Sequence, residues 1–196
     1  DKNKPKMSHN STYEKSFPSR NCTFYIGTAG AKVFGRGEPI HYFLGSELAF
    51  WPDPWKILTP TMQRVPLEGE MHLESTPNGE GSENNPNAFY ELVQEAIGGD
   101  SIWELIQLPW WLEPSYKIPY GSAYAHPDDR GNILNTLNEE ETALAIRIGW
   151  DDSEAEDRIR WRRRKIREIK AAFWQEFFED IVSCFLATAE PFYDSD

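Results

Sequence analysis

The 196-residue chain lacks long apolar runs, a cysteine pair and an excess of positive charge. No apolar stretch reaches the ~20 residues that a bilayer-spanning helix needs, and residues 1–6 are polar, unlike a secretory signal. The two cysteines, Cys22 and Cys184, form no CxxC motif and are typical of small buried apolar side chains. We therefore expect a protein of a reduced, cytoplasmic compartment that has no membrane partner.

What the chain does contain is apolar mass and unevenly placed charge. Hydrophobic residues make up 39% and aromatic residues 14%, enough for a folded core. The net charge of −12 argues against a protein that simply coats nucleic acid. Residues 154–170, however, carry eight basic and four acidic side chains, so this segment is +4 and the remainder −16. Two interpretations of this basic segment stay open: a helix that touches DNA phosphates, or a solvated helix face mixed with glutamate.

Strand and helix signals alternate in the first part of the chain. Apolar and β-branched runs predict strands at 23–26, 40–44, 71–74 and 102–108, and 3.6-residue periodicity predicts helices at 53–63 and 89–97. Pro54 can begin the first of these helices and Gly98-Gly99 end the second, and Asn138 can cap the helix that follows it. This alternation is typical of an α/β fold with a parallel sheet, in which the strand at 40–44 is buried on both faces.

The chain is expected to divide into four parts. Residues 1–20 form a polar tail and 21–112 the α/β domain, whereas 113–137, rich in Pro, Tyr, Gly and Asp, form a linker. Residues 138–196 then form a small helical subdomain, with predicted helices at 138–148, 152–170 and 173–186. Burial of unpaired arginines is costly. In the second of these helices the isoleucines should therefore face inward and the arginines should be mostly exposed (Ile159, Ile166 and Ile169 against Arg160, Arg163, Arg164 and Arg167).

Two short motifs follow successive predicted strands. Glu47 comes directly after the strand at 40–44, where a carboxylate of a P-loop ATPase can orient the water that attacks a γ-phosphate or help to organise Mg²⁺. After the strand at 71–74 comes Ser75-Thr76-Pro77-Asn78-Gly79, whose hydroxyl and amide groups can hydrogen-bond a terminal phosphate. Because ligands bind beyond the carboxyl ends of strands in open α/β sheets, these two segments should lie close together.

The ordered set of motifs resembles the large subunit of bacteriophage terminases, the ATPase–nuclease that pumps DNA into a prohead. The resemblance covers roughly residues 22–192. In the first part it rests on Gly35-Arg36-Gly37, Ser46-Glu47-Leu48-Ala49-Phe50-Trp51, Glu74-Ser75-Thr76-Pro77-Asn78-Gly79, Phe89-Tyr90-Glu91-Leu92 and Pro109-Trp110-Trp111. In the last part it rests on Ile159-Arg160-Trp161-Arg162-Arg163, Trp174-Gln175-Glu176-Phe177 and Cys184-Phe185-Leu186. It implies a partial P-loop-type parallel sheet with helices, the C-terminal half of an ATPase domain, followed by helices that lead toward a nuclease domain not contained in this sequence.

The resemblance also implies residue roles and partners. Glu47 matches the catalytic carboxylate of the family. Ser75, Thr76 and Asn78 match the motif that couples hydrolysis to DNA movement. Arg36 falls in a loop on the same side, where it would form either a structural ion pair or a contact with phosphate. The implied cofactors are ATP and Mg²⁺. The implied partners are double-stranded DNA, a small terminase subunit and the portal ring, in the cytoplasm of an infected bacterium.

Two departures from that pattern bear on activity. Many ATPases of this class have Asp before the catalytic Glu, but here Ser46 occupies that place, which weakens metal organisation. The chain also contains no G-x-x-x-x-G-K-[ST] sequence, so we expect the phosphate-binding loop upstream of Asp1 and little activity from residues 1–196 alone. The resemblance likewise places the nuclease carboxylates downstream of Asp196. The alternatives are a non-enzymatic relic or interaction protein, and a carbohydrate hydrolase that uses Glu47 and Glu74.

Overall fold

The computed structural model describes residues 5–30, 38–82, 85–149 and 152–186. Contacts between Cα atoms divide the chain into two compact units. The first comprises the described residues of Asp1–Ser75 and Gly81–Leu92, and the second those of Thr76–Glu80 and Val93–Asp196. The fold class is mixed α and β, as expected, but the strands form three small sheets rather than one parallel sheet.

The first unit begins with an antiparallel sheet of three strands, β1 (His9–Asn10), β2 (Glu14–Phe17) and β3 (Cys22–Tyr25). Two predictions are therefore wrong. Residues 1–20 are not simply a polar tail, because β1 and β2 lie within them. The strand predicted at 23–26 pairs with β2 in a meander and not with the parallel strands. Short-range pairing through the turn at Pro18–Arg20 needs no partner from distant sequence, which explains why this ladder forms locally.

The next two strands make the parallel pair, with β4 (Tyr42–Ser46) beside β5 (Glu70–Glu74) and helix α1 (Pro54–Met62) between them in sequence. Parallel strands require such a crossover, and Pro54 stands in the first turn of α1, where its missing N–H costs nothing. Only one face of β4 is buried. Phe43 is 7% exposed, but Tyr42 and Leu44 are 76% and 67% exposed, so the expectation of burial on both faces is wrong.

Two further strands, β6 (Gly81–Ser82) and β7 (Asn85–Pro86), form a short antiparallel hairpin, and α2 (Ala88–Gly98) follows. The helix ends at Gly99, whose φ of +76° is the left-handed conformation that favours glycine, as the sequence predicts. The strand predicted at 102–108 is not formed. This segment has no ladder partner among the described residues, and the side chains of Ile102, Ile106 and Leu108 are exposed.

The second unit is built around the long helix α4 (Asp152–Ile169), which is preceded by α3 (Glu139–Ile148) and followed by the short helices α5 (Phe173–Glu176) and α6 (Ser183–Leu186). Helix α3 has the predicted asparagine cap. The Asn138 side chain accepts from the Glu141 N–H, and the Glu141 carboxylate accepts from the Asn138 N–H. The helix predicted at 173–186 is instead split into α5 and α6, with residues 177–182 outside them.

Residues 113–137 are not a linker, because they pack onto α4 and supply part of its core. Tyr116 and Trp110 both stack on Trp161, with ring centroids 4.4 and 5.0 Å apart, and Phe177 meets Trp161 edge-on at 5.1 Å. Buried apolar side chains from the same segment complete the core (Ile118, Ala125 and Ile133). A run rich in proline and glycine therefore serves here as packed structure, held by aromatic area that composition alone does not reveal.

The arginines of α4 are the largest correction. The isoleucines do face the core, with Ile159 fully buried and Ile166 and Ile169 packed against it. Arg160 is also buried, however, at 1% side-chain exposure, and Arg163 is only 15% exposed; Arg164 and Arg167, at 40% and 41%, are exposed as expected.

Paired carboxylates make this burial possible. Arg163 donates to Asp129 at 2.8 Å and to both oxygens of Glu141 at 2.8 and 2.7 Å. Arg162, at 2% exposure, lies between Glu140 and Glu179. Desolvation raises the pKa of the Asp129 carboxyl, but hydrogen bonds from Arg167 and Arg163 outweigh it and hold that pKa below its ordinary value. Helix α4 is thus in part a scaffold of buried ion pairs, while Arg164 and Lys165 pair with Glu168 on a more exposed face. Contact of the exposed basic residues with DNA stays a prediction.

Candidate active site

Glu47 follows β4 in a backbone conformation that non-glycine residues rarely adopt. Its φ and ψ are 56° and 44°, in the left-handed region, which costs an L-residue on the order of 1–2 kcal/mol. A tight turn at Leu48–Phe50 fixes this conformation: the Phe50 N–H donates to the Glu47 carbonyl at 3.0 Å, while Leu48 is fully buried. The turn directs the chain away from the strand and leaves the Glu47 side chain exposed to solvent. Strain of this kind is concentrated at functional sites.

The segment that follows β5 holds the turn that carries Glu47. The backbone N–H of Ala49 donates to the Ser75 hydroxyl at 3.1 Å. In the parallel ladder Ser46 is the register partner of Glu74, so Glu47 and Ser75 are the residues that follow directly at the same end of the strand pair. The structure therefore brings Glu47 and Ser75 together, as the sequence predicts.

A second contact joins the last residues of the two strands. The Ser46 hydroxyl donates to a carboxylate oxygen of Glu74, and the Trp51 indole N–H donates to the Ser46 carbonyl at 2.9 Å. The two strands pack closely at Gly45, the residue before Ser46. A side chain at this position would clash, since a Cβ on Gly45 would lie 2.8 Å from Leu73 Cδ2 and 3.3 Å from the Trp51 ring. Glu47 is thus flanked by two anchors, Ser46 and Ala49, and both of them bind β5 or the residue after it.

The other predicted site residues are Thr76, Asn78 and Arg36. Thr76 and Asn78 belong by their contacts to the second unit, and both are half-buried. Arg36 lies outside the described residues. Sequence reasoning did not assign a role to the Ser46–Glu74 pair. Their proximity could have been predicted from their positions in the sequence. Each lies at the end of one of two successive predicted strands, and the ends of neighbouring parallel strands lie together.

The oxygen ligands at this end of the sheet are carboxylates and a hydroxyl, the donor types that Mg²⁺ prefers. Mg²⁺ keeps several waters and binds through one or two carboxylates together with substrate phosphates, so Glu47 and Glu74 fit this chemistry. Over the part of the chain that the structure describes, no group of three or more His, Cys, Asp or Glu side chains could hold a metal ion by itself. The protein side of such a site is therefore limited to the Glu47 and Glu74 carboxylates and the Ser46 hydroxyl.

Comparison with known proteins identifies no relative. No protein-family model, no curated protein and no solved structure matches the chain. Within the described ranges, none of the helices combines the length and the apolar character that crossing a membrane requires. The functional interpretation therefore rests on the motifs and on the geometry at the end of β4 and β5.

Proposed function

We propose that the chain is part of the ATP-hydrolysing large subunit of a DNA-packaging motor, similar to the bacteriophage terminases, with Glu47 as the residue that activates water. One observation carries the proposal. An exposed glutamate held in a left-handed conformation follows directly after a strand of a parallel pair, and the turn that carries it is bound by Ser75, which follows the neighbouring strand. Such a strand end is where nucleotide-binding α/β folds place their catalytic carboxylate.

The proposed chemistry is phosphoryl transfer to water. Glu47 orients the attacking water and accepts its proton as the water oxygen bonds to the γ-phosphorus, which is general-base catalysis. The bond from the γ-phosphorus to the β–γ bridging oxygen breaks, and ADP leaves. The exposed carboxylate can reach a ligand beyond the strand end. A bound Mg²⁺ would neutralise charge on the phosphates, and the carboxylates of Glu47 and Glu74 are the groups that would hold its side of the site.

The proposal includes a coupling role for Ser75, Thr76 and Asn78. The hydrogen bond from Ala49 N–H to Ser75 Oγ supports this role, because a shift of the segment after β5 would pull on the turn that carries Glu47. A movement of the Glu47 turn on loss of the γ-phosphate would be transmitted through this hydrogen bond to the segment that begins at Ser75. Two-state movement of such segments is a common response to γ-phosphate release.

The phosphates also need a cradle, and residues 1–196 contain no G-x-x-x-x-G-K-[ST] sequence. The proposal therefore requires a phosphate-binding loop from another part of the motor. The proposed partners are double-stranded DNA, a small terminase subunit and a portal ring, in the cytoplasm of an infected bacterium. The buried arginines of α4 bind carboxylates, so a DNA contact by this helix would fall to its exposed arginines, Arg164 and Arg167.

The test is DNA-stimulated release of phosphate from ATP by a motor protein that contains both a phosphate-binding loop and this chain. Glu47→Gln should abolish hydrolysis. Glu70→Gln is the matched control, since Glu70 is exposed at the opposite end of β5, and it should retain hydrolysis. Hydrolysis that survives Glu47→Gln would refute the proposal and favour a non-enzymatic interaction protein.

A further inference from the structure

Residues 102–108 have the side-chain pattern of a β-strand but no partner strand. Burial alternates from one residue to the next over the first part of the segment, where Trp103 and Leu105 are half-buried and the residues between and beside them are exposed (Ile102, Glu104 and Ile106). A period of two is typical of an extended backbone that packs one of its faces on the protein. Among the described residues, however, no other segment forms a ladder with this one.

The backbone of this segment is open to a further strand. The Trp103 N–H donates to the Ser101 hydroxyl at 3.1 Å, and over the described chain the backbone of residues 104–108 makes no hydrogen bond. Pro109, which has no N–H, sets the end of the stretch that can pair. An exposed apolar strand with an unpaired backbone is a template for pairing with another chain.

We propose that residues 102–108 pair antiparallel with the same residues of a second copy of this chain, across a two-fold axis at Leu105. The segment is complementary to itself in this arrangement. Ile102 of each copy lies opposite Leu108 of the other, and Glu104 of each copy lies opposite Ile106 of the other. Three of these side chains are large, apolar and mostly exposed (Ile102, Ile106 and Leu108). Cross-strand apolar pairs of this kind stabilise a sheet.

Charge and side-chain alternation favour this register over its neighbours. The two Glu104 carboxylates lie diagonal to each other, whereas a pair centred on Glu104 would set them directly opposite, where like charges destabilise a sheet. A shift by one residue would set the exposed apolar face of one copy beside the half-buried face of the other. The register centred on Leu105 also uses all seven residues before Pro109.

A second copy meets both requirements of this edge, because it brings an unpaired backbone and apolar side chains on the outer face. A two-fold contact of one segment with itself is also the commonest way in which a soluble protein closes an assembly. The inference does not rest on the proposed ATPase function, since the segment lies apart in sequence from Glu47 and Ser75.

The first experiment measures the mass of the 196-residue chain by sedimentation equilibrium over a range of protein concentrations. A single pair of short strands buries less area than a standard stable interface, so we expect a weak dimer with a Kd in the micromolar range. The mass should therefore rise from that of one chain to that of two. A chain that stays monomeric up to millimolar concentration would overturn the proposal and leave this edge to a strand of a different protein.

Charge substitutions test the register. Ile106→Glu sets a carboxylate opposite Glu104 of the other copy and should raise the Kd about 10-fold, because the two-fold axis makes the change act at two cross-strand pairs. Ile106→Glu combined with Glu104→Lys sets opposite charges across from each other and should restore the dimer. Leu67→Glu, at an exposed apolar residue outside the segment, should leave the Kd unchanged. All three positions are exposed, so an unchanged midpoint of urea unfolding separates loss of pairing from loss of folding.

Residue-resolved hydrogen exchange tests whether the contact lies at residues 102–108. Above the Kd, alternate amides of this segment should be protected, because in an antiparallel pair every second residue donates to the neighbouring strand. The protection should disappear on dilution and in Ile106→Glu. A dimer in which these amides stay unprotected would contradict the proposal, and so would a Kd that Ile106→Glu raises no more than Leu67→Glu does.

Discussion

Replacement of Arg163 by Met tests whether the arginines of α4 hold the second unit together. Arg163 binds two carboxylates, Asp129 and Glu141, whose side chains are each only 4% exposed. Its removal leaves Glu141 without its bidentate partner. Among the described residues, Asp129 then keeps an ion pair with Arg167 alone. Breaking a buried ion pair by deleting one partner costs about 3–5 kcal/mol, since the remaining charge stays buried. We expect a loss of free energy of unfolding in that range.

The assay is urea unfolding followed by tryptophan fluorescence, since Trp161 of α4 and Trp110, which stacks on it, lie in the core. The matched control is Arg164→Met, one residue further along the helix. Arg164 is 40% exposed and pairs with Glu168, which is 35% exposed, so its loss should cost no more than about 1 kcal/mol. A loss for Arg163→Met no larger than that for Arg164→Met would refute the view that the network stabilises the unit.

Four further predictions concern acid stability, thiol reactivity, helix capping and activity. Desolvation raises the pKa of the Glu141 carboxyl, but hydrogen bonds from Arg163 and from the Asn138 N–H outweigh it and hold this pKa below its ordinary value of 4.5. The pKa of Asp129 is likewise held below its ordinary value of 3.8 by hydrogen bonds from Arg167 and Arg163. A carboxyl whose pKa is lower in the folded than in the unfolded protein stabilises the fold fully at pH values above its unfolded pKa. This stabilisation is lost as pH falls from the unfolded pKa through the folded pKa. The free energy of unfolding should therefore be level down to about pH 5 and decline below it, with a shallower decline in Arg163→Met; equal slopes would contradict this. Burial raises the pKa of the Cys184 thiol to about 11, whereas Cys22 is exposed, so a thiol reagent at mildly alkaline pH should label one cysteine in the native protein and both in denaturant. Asn138→Ala should cost about 1 kcal/mol of stability through loss of the cap of α3, against no measurable change for the exposed Asn135→Ala. The 196-residue chain alone should release no phosphate from ATP above background, and Glu47→Gln should not alter that result; a Glu47-dependent rate would reveal a phosphate site within residues 1–196.

Local signals in the sequence predicted local structure well. The cap at Asn138, the proline that begins α1 and the glycine after α2 each act within a few residues, and each is found where the sequence placed it. The meeting of Glu47 with Ser75 was also predictable, because the carboxyl ends of neighbouring parallel strands lie together.

Other predictions that depended on distant partners were wrong. A strand exists only when another segment completes its ladder, and residues 102–108, though rich in strand-forming side chains, are unpaired within the described chain. The arginines of α4 were expected in solvent because a single helix offers them few carboxylates. Arg160 does find carboxylates on α4 itself, Glu156 and Asp157. The partners of Arg162 and Arg163 instead come from segments that the tertiary fold brings to α4 from before and after it (Asp129, Glu140, Glu141 and Glu179). The contact of Ser46 with Glu74 depends in the same way on strand register, which the sequence does not specify.

Separate measurement of ATP binding and ATP hydrolysis at Glu47 tests the central proposal most directly. In a motor protein that contains a phosphate-binding loop and this chain, Glu47→Gln should leave the Kd for ATP nearly unchanged. The single-turnover rate of hydrolysis should fall by about 10²–10⁴-fold, the contribution expected of a general base. Glu70→Gln should change neither quantity. A Glu47→Gln rate within a few-fold of wild type, with ATP still bound, would contradict the assignment of Glu47 as the group that activates water.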